Sequence, residues 1–149
     1  MPVMPEGVRN TRGAATRYYL GFDYGRRRIG VAVGQPLTAT ATPLLVMDRT
    51  RKPPDWDRIG WLIAEWHPVG FVVGIPYPGH AREHELSRAA ARFGRQLGAR
   101  FHRPVFTIDE RLSSWTARSI TVGGGRPVDD RAAAVILETW LSEQETADA

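Results

Sequence analysis

The chain has 149 residues, no cysteine and a net charge of +4, so disulfides and thiolate metal sites are excluded and one domain is expected. Its longest apolar runs, such as 69–76, fall far short of the roughly 20 residues that cross a bilayer, and no apolar stretch follows the basic start as a secretion signal requires. A cytoplasmic protein without a membrane partner is expected. Lys52 is the only lysine among 20 basic residues, and the planar arginine fork suits phosphate. Nucleic acid is therefore a candidate partner, although bulk charge alone speaks to solubility and non-specific binding.

Residues 1–16 are polar, hold prolines and glycines, and follow neither a strand nor a helix period, which predicts a disordered extension. Three β-rich runs follow: Tyr18-Tyr19-Leu20-Gly21-Phe22-Asp23, then Arg28-Ile29-Gly30-Val31-Ala32-Val33-Gly34, then Ala41-Thr42-Pro43-Leu44-Leu45-Val46-Met47. Short polar turns separate them, as in an antiparallel meander. Between Arg58 and Trp66 the apolar residues Ile59, Leu62, Ile63 and Trp66 share one helical face, with Asp55 or Asp57 at the dipole-favoured start. Val69 to Pro76 is a continuous apolar run of the kind found in buried parallel strands.

Residues 81–99 place Leu86, Ala89, Ala90, Phe93 and Leu97 at helical spacing, with Gly98 as the expected stop. Pro104 to Ile108 reads as a strand, Leu112 to Ile120 as a short helix, 121–127 as a flexible loop, and Asp129 to Leu141 as a final helix with Ala133, Ile136, Leu137 and Trp140 turned inward. The Ala/Glu/Thr tail over 142–149 is expected to fray. Three strands followed by α-β-α-β-α predict an α/β fold: a mixed five-stranded sheet with helices on both faces, formed by residues 17–141.

Three acids sit where strands end or a helix opens: Asp23, Glu110 and Asp129, with Asp130 adjacent as the alternative to Asp129. In sheets of this kind active groups gather at the carboxyl ends of neighbouring strands. Clustered carboxylates repel one another and lose hydration, a cost that a divalent cation offsets. Hard oxygen ligands suit Mg²⁺ or Mn²⁺, and a pair of such ions about 3.5–4 Å apart serves phosphodiester hydrolysis. Taken singly, Asp23 also fits a turn former beside Gly25, and Asp129 fits a helix cap. Arg26, Arg27 and Arg28 form either a phosphate-facing hairpin or a solvated one. Arg111 meets either an acid or a phosphate. The four histidines lack metal-ligand spacing and read as surface or satisfied groups, His84 alone lying near the Gly74 loop. Trp56, Trp61 and Trp66 read as packing residues.

Five motifs in order, Leu20-Gly21-Phe22-Asp23-Tyr24-Gly25, Arg28-Ile29-Gly30-Val31-Ala32-Val33, Val73-Gly74-Ile75-Pro76, Asp109-Glu110-Arg111-Leu112-Ser113 and Val128 to Leu137, together resemble the bacterial YqgF family, also called RuvX. That family is described as a pre-16S rRNA nuclease and earlier as a Holliday junction resolvase. The resemblance implies a ribonuclease H-like fold and metal-dependent trimming of the 5′ end of the small-subunit rRNA precursor. By motif position Asp23, Glu110 and Asp129 carry over as catalytic and metal-holding acids, with Arg26, Arg27, Arg28 and Arg111 as nucleic-acid contacts. The chain departs from the family pattern at Arg26-Arg27, at Gly34-Gln35 and at Tyr77-Pro78-Gly79-His80, positions that bear on substrate rather than on the acids.

Rival readings remain at this level. Branched DNA offers the same phosphate chemistry, and a junction resolvase needs a two-fold homodimer where an rRNA nuclease can be a monomer. A non-catalytic RNA-binding protein would keep salt-dependent binding without the acids. Asp23-Tyr24-Gly25 before a hairpin also resembles the phosphate motif of actin-like ATPases and sugar kinases, which need two lobes where this chain has room for one.

Overall fold

The computed structural model describes residues 17–50, 52–76, 81–110 and 129–148, with side chains described over 84–110 and 131–144 in the last two stretches. The expected extension 1–16, residues 77–80, Arg111, the expected short helix 112–120 and the expected loop 121–127 lie outside the described residues. The described residues form five strands: β1 (Tyr19–Tyr24), β2 (Arg28–Gln35), β3 (Thr40–Asp48), β4 (Gly70–Ile75) and β5 (Val105–Asp109). They also form three helices: α1 (Trp56–Trp66), α2 (Ala81–Phe101) and α3 (Asp129–Asp148). The sheet order is β3-β2-β1-β4-β5. β1, β2 and β3 pair antiparallel as the expected meander, and β4 and β5 join parallel to β1.

Alternation along the central strands divides the core between two faces. Leu20, Phe22, Tyr24, Ile29, Val31, Val33, Phe71 and Val73 pack with Ile59, Leu62, Ile63 and Trp66 of α1 and with Ala90, Phe93 and Leu97 of α2. On the opposite face Val72 and Ile108 meet Ile136, Leu137, Trp140 and Leu141 of α3. The expected faces of α1 and α3 are buried, and on α2 Ala90, Phe93 and Leu97 are buried while Leu86 and Ala89 are half-buried. Gly21 lies under α3, where a Cβ would stand 2.7 Å from that of Leu137, so the helix packs directly on β1. Pro43, which cannot donate to a ladder, sits on edge strand β3 beside an irregularity in register opposite Val31 and Ala32.

Three local expectations are corrected. α2 does not stop at Gly98 but continues to Phe101, and His102, with φ 56°, turns the chain. Gly98 and Gly94 instead let the helix approach β5: a Cβ at either would stand 3.2 or 3.3 Å from the Val105 methyl groups. α1 ends similarly on left-handed His67, whose N–H donates to Ile63 O, while Asp55 caps its start by accepting from Arg58 N at 3.1 Å. Trp61 is 47% exposed rather than packed, whereas Trp66 is buried and Trp56 stacks on Phe93 at 5.6 Å. At 100° per residue Trp61 stands about 150° from the centre of the stripe formed by 59, 62, 63 and 66, on the side of the helix that faces water. Finally, α3 extends past Leu141, the end expected of the final helix, to Asp148, over a segment that includes glutamate, glutamine and alanine, all good helix formers.

Candidate metal centre and nucleic-acid interface

The register of the sheet sets the geometry of the candidate site. Asp23 is level with Gly74 on β4, and Gly74 with Ile108 on β5. Glu110 is two residues beyond Ile108, so by strand alternation Asp23, Gly74, Ile108 and Glu110 lie on the α3 side of the sheet. All are at the carboxyl ends of parallel strands. Gly74 keeps the space between the two acids open: a Cβ there would stand 3.0 Å from Glu110 Cγ, 3.1 Å from Glu110 Oε2 and 2.6 Å from Ile136 Cδ1.

α3 runs antiparallel to β1. Trp140 packs on Tyr19 with ring centroids 5.1 Å apart, and Leu137 and Ala133 stand over Gly21. Proceeding along β1 toward Asp23 therefore means proceeding toward the first turn of α3, which Asp129 and Asp130 open. The backbone brings that turn to the Asp23 end of the sheet. The side chains of Asp129 and Asp130 lie outside the described residues, so the choice between them stays where the sequence leaves it.

Asp23 and Glu110 line one cavity of about 590 Å³ together with Tyr24, Gly25, Arg26, Arg27, Arg28, Gly30, Pro76 and Leu86. Thus two of the three expected acids and three of the four expected arginines share a single pocket. Burial, then the negative charge of Asp23, then that of Asp109, push the Glu110 carboxyl from an ordinary 4.5 up to about 8. Two carboxylates held this close in a half-buried site favour either a shared proton or a cation. The donor set, hard oxygens with no sulfur or imidazole, fits Mg²⁺ or Mn²⁺. Among the described residues no group of three or more His, Cys, Asp or Glu is assembled. His84 is exposed and does not line the cavity.

Sequence reasoning missed Arg49. Its Nη1 donates to Gly25 O at 2.9 Å and to Arg26 O at 2.7 Å, its guanidinium lies 4.8 Å from the Tyr24 ring centroid, and its N–H donates to Arg27 O at 2.8 Å. With the Gly25 N to Arg28 O bond of 2.8 Å, this arginine fixes the hairpin that carries Arg26 to Arg28 into the cavity. No motif marks it, because the contact joins residues more than twenty apart. Arg49→Met is expected to lower stability by about 1–2 kcal/mol and to weaken nucleic-acid binding through the loosened hairpin. Denaturant titration and binding anisotropy check this, and unchanged values for both would remove Arg49 from the site.

A second expected result concerns pH. A carboxyl raised from 4.5 to about 8 makes the folded chain bind more protons than the unfolded one between those values. Its contribution to stability is complete below about pH 4.5 and is lost as pH rises through about 8. In chelator, the melting temperature of the native protein should fall across that window more steeply than that of Glu110→Gln. Added Mn²⁺ should raise it more at pH 8.5 than at pH 6. Parallel melting curves for the two proteins would contradict this.

Comparison with known proteins places the chain in a family. The sequence model of RuvX, described as Holliday junction resolvase, matches residues 17–143. The chain belongs to the RuvX family. A protein of Pseudomonas paraeruginosa named "Putative pre-16S rRNA nuclease" is 47% identical over 134 residues, covering 85% of this chain and 93% of the relative. A RuvX relative of the same name from Legionella pneumophila is 44% identical over 149 residues, covering 95% of this chain and all of the relative. Among solved structures, T. thermophilus RuvC in complex with Holliday junction substrate aligns with a TM-score of 0.56 at 16% identity, over 87% of this chain and 96% of RuvC. The fowlpox virus Holliday junction resolvase aligns with a TM-score of 0.52 at 8% identity, over 85% of this chain and 99% of the resolvase. At such identities the likeness concerns the fold, which is ribonuclease H-like as the motifs implied. No helix among the described residues is long and apolar enough to cross a membrane.

Proposed function

We propose that this RuvX protein is a divalent-metal-dependent endonuclease that processes the 5′ end of precursor 16S rRNA. The observation that carries the proposal is the meeting of Asp23, on β1, and Glu110, just past β5, in one arginine-lined cavity although β2, β3, α1, β4 and α2 separate them in the chain. The names of the relatives support precursor rRNA as the substrate. Asp23, Glu110 and Asp129, with Asp130 as the alternative third ligand, hold Mg²⁺ or Mn²⁺. When bound, the ions supply water activation and stabilisation of the leaving oxygen. The chain's own residues then do the positioning: Arg26, Arg27, Arg28 and Arg111 hold the phosphodiester backbone against the acids, and Gly74 leaves space for it. Residues 17–141 form the nuclease unit, with 1–16 as an extension, and the protein acts in the cytoplasm.

Branched DNA is the second reading, favoured by the family description and by the fold shared with resolvases. Side-by-side cleavage of precursor 16S rRNA and a four-way DNA junction in Mg²⁺ or Mn²⁺ separates the two. The rRNA reading expects metal-dependent cuts in the RNA by a protein that can act as a monomer. Symmetric cuts in the junction by a homodimer, with the RNA intact, would replace it. Cleavage of neither, with salt-sensitive RNA binding that survives loss of the acids, would indicate a binding protein.

A further inference from the structure

We propose that the outer face of α2 is a second, non-catalytic track for the nucleic-acid backbone, formed by Arg88, Arg92 and Arg95 and leading away from the catalytic cavity. The proposal extends the nuclease reading above. From Leu86 to Arg103 the chain carries five arginines and no aspartate or glutamate. Over the whole of α2 (Ala81–Phe101), where Arg82 adds to the charge and Glu83 and Glu85 count against it, the net charge is +3 of the chain's +4, so the positive charge is concentrated on this element beyond its first turn. Two of the five have structural work. Arg103 donates to Pro68 O at 2.7 Å and to Phe101 O at 2.9 Å, and Arg100 lies 4.3 Å over the Trp56 ring. Arg88, Arg92 and Arg95 are exposed.

Their spacing gives them one direction. At 100° per residue Arg88 and Arg95 fall within about 20° of each other around the helix, with Arg92 about 40° to one side. The core face of the same helix is formed by Ala90, Phe93 and Leu97. The arginine row begins where the cavity ends: Leu86 lines the cavity, and Ser87 Oγ donates to Pro76 O, another lining residue, at 2.6 Å. From Leu86 the three arginines lie roughly 3, 9 and 13.5 Å along the axis. The row spans about 10 Å, or about three phosphates of one strand at 3.4 Å of axis each. Beside it runs an open groove of about 470 Å³ between α2 and edge strand β5, lined by Gly94, Arg95, Gly98, Arg103, Val105 and Thr107. A polyanion leaving the cavity past the exposed Glu85 meets the row of exposed Arg88, Arg92 and Arg95 here.

The test uses the full chain with Arg88→Gln, Arg92→Gln and Arg95→Gln combined, and the matching triple lysine variant. Binding of a fluorescent precursor-rRNA fragment is measured by anisotropy across salt concentrations, and hydrolysis of bis(p-nitrophenyl) phosphate, too small to reach α2, is measured with Mn²⁺. The glutamine variant should bind RNA at least about tenfold more weakly near 0.1 M salt and lose about 2–3 from the slope of log K against log salt. Its small-substrate rate should match the native one. Lysine should retain the slope. An unchanged affinity and slope in the glutamine variant, an equal loss in the lysine variant, or no binding of RNA by the native protein would overturn the track. Failure of the native protein to cleave any substrate would overturn the nuclease reading instead, and the anisotropy would still decide the track.

Discussion

Replacing Asp23 by Asn is expected to reduce metal-dependent cleavage by at least about 1000-fold, equivalent to about 4 kcal/mol of barrier, while the fold persists. Asn has nearly the same shape as Asp, and the position of residue 23 is fixed by paired strands on both sides, with Gly30 on β2 and Gly74 on β4 as its partners. Its buried neighbours Phe22 and Tyr24 point to the opposite face, where they pack on Phe93 with centroids 5.4 and 4.9 Å apart. The shape is kept while the charge goes and one acceptor oxygen becomes a donor. Because the Asp23 charge helps raise the Glu110 carboxyl, the variant should also bring Glu110 back toward its ordinary range and melt no lower than the native protein in chelator. A purified Asp23→Asn protein that cleaves at the native rate would dismiss this residue from the site.

Gly74→Val is expected to damage both stability and activity, and a second substitution should separate the two losses. The added Cβ falls 2.6 Å from Ile136 Cδ1 and 3.0 Å from Glu110 Cγ, so α3 and the Glu110 side chain must both shift. Overpacking of this kind costs about 1–3 kcal/mol. Ile136→Val removes the colliding methyl, and the double variant should recover a large part of the lost melting temperature. It should not recover cleavage, because the clash with Glu110 remains and displacement of about an ångström from a reactive geometry costs roughly 100-fold. Recovery of cleavage along with stability would mean that the position of Glu110 is not what Gly74 protects.

The elements whose chemistry is local could be read from the residues alone. Period-two runs gave the meander, the continuous apolar run at 70–75 gave a buried parallel strand, and the stripes 59-62-63-66 and 133-136-137-140 gave helical faces that are buried in the fold. The convergence of Asp23 and Glu110 was also accessible, since strand ends of a parallel sheet point one way and five motifs shared the order of a known family. What escaped depends on contacts between elements. Gly98 looks like a helix stop until Val105 is known to pack against it, and Arg49 looks like a surface charge until the hairpin over Gly25 and Arg26 closes on it. Trp61 reads as core by residue type, yet at 100° per residue it stands about 150° from the centre of the stripe 59-62-63-66, and the helix turns it to water.

The central claim is that the cavity between β1 and β5 gathers carboxylates to hold divalent cations for phosphodiester cleavage. Crystals of the native protein grown with Mn²⁺ and measured at the manganese absorption edge test it most directly. The account predicts anomalous density between the Asp23 and Glu110 carboxylates, beside the first turn of α3, with that density lost in Asp23→Asn crystals. Manganese bound elsewhere, with these two side chains uninvolved in a protein that cleaves RNA, would contradict it.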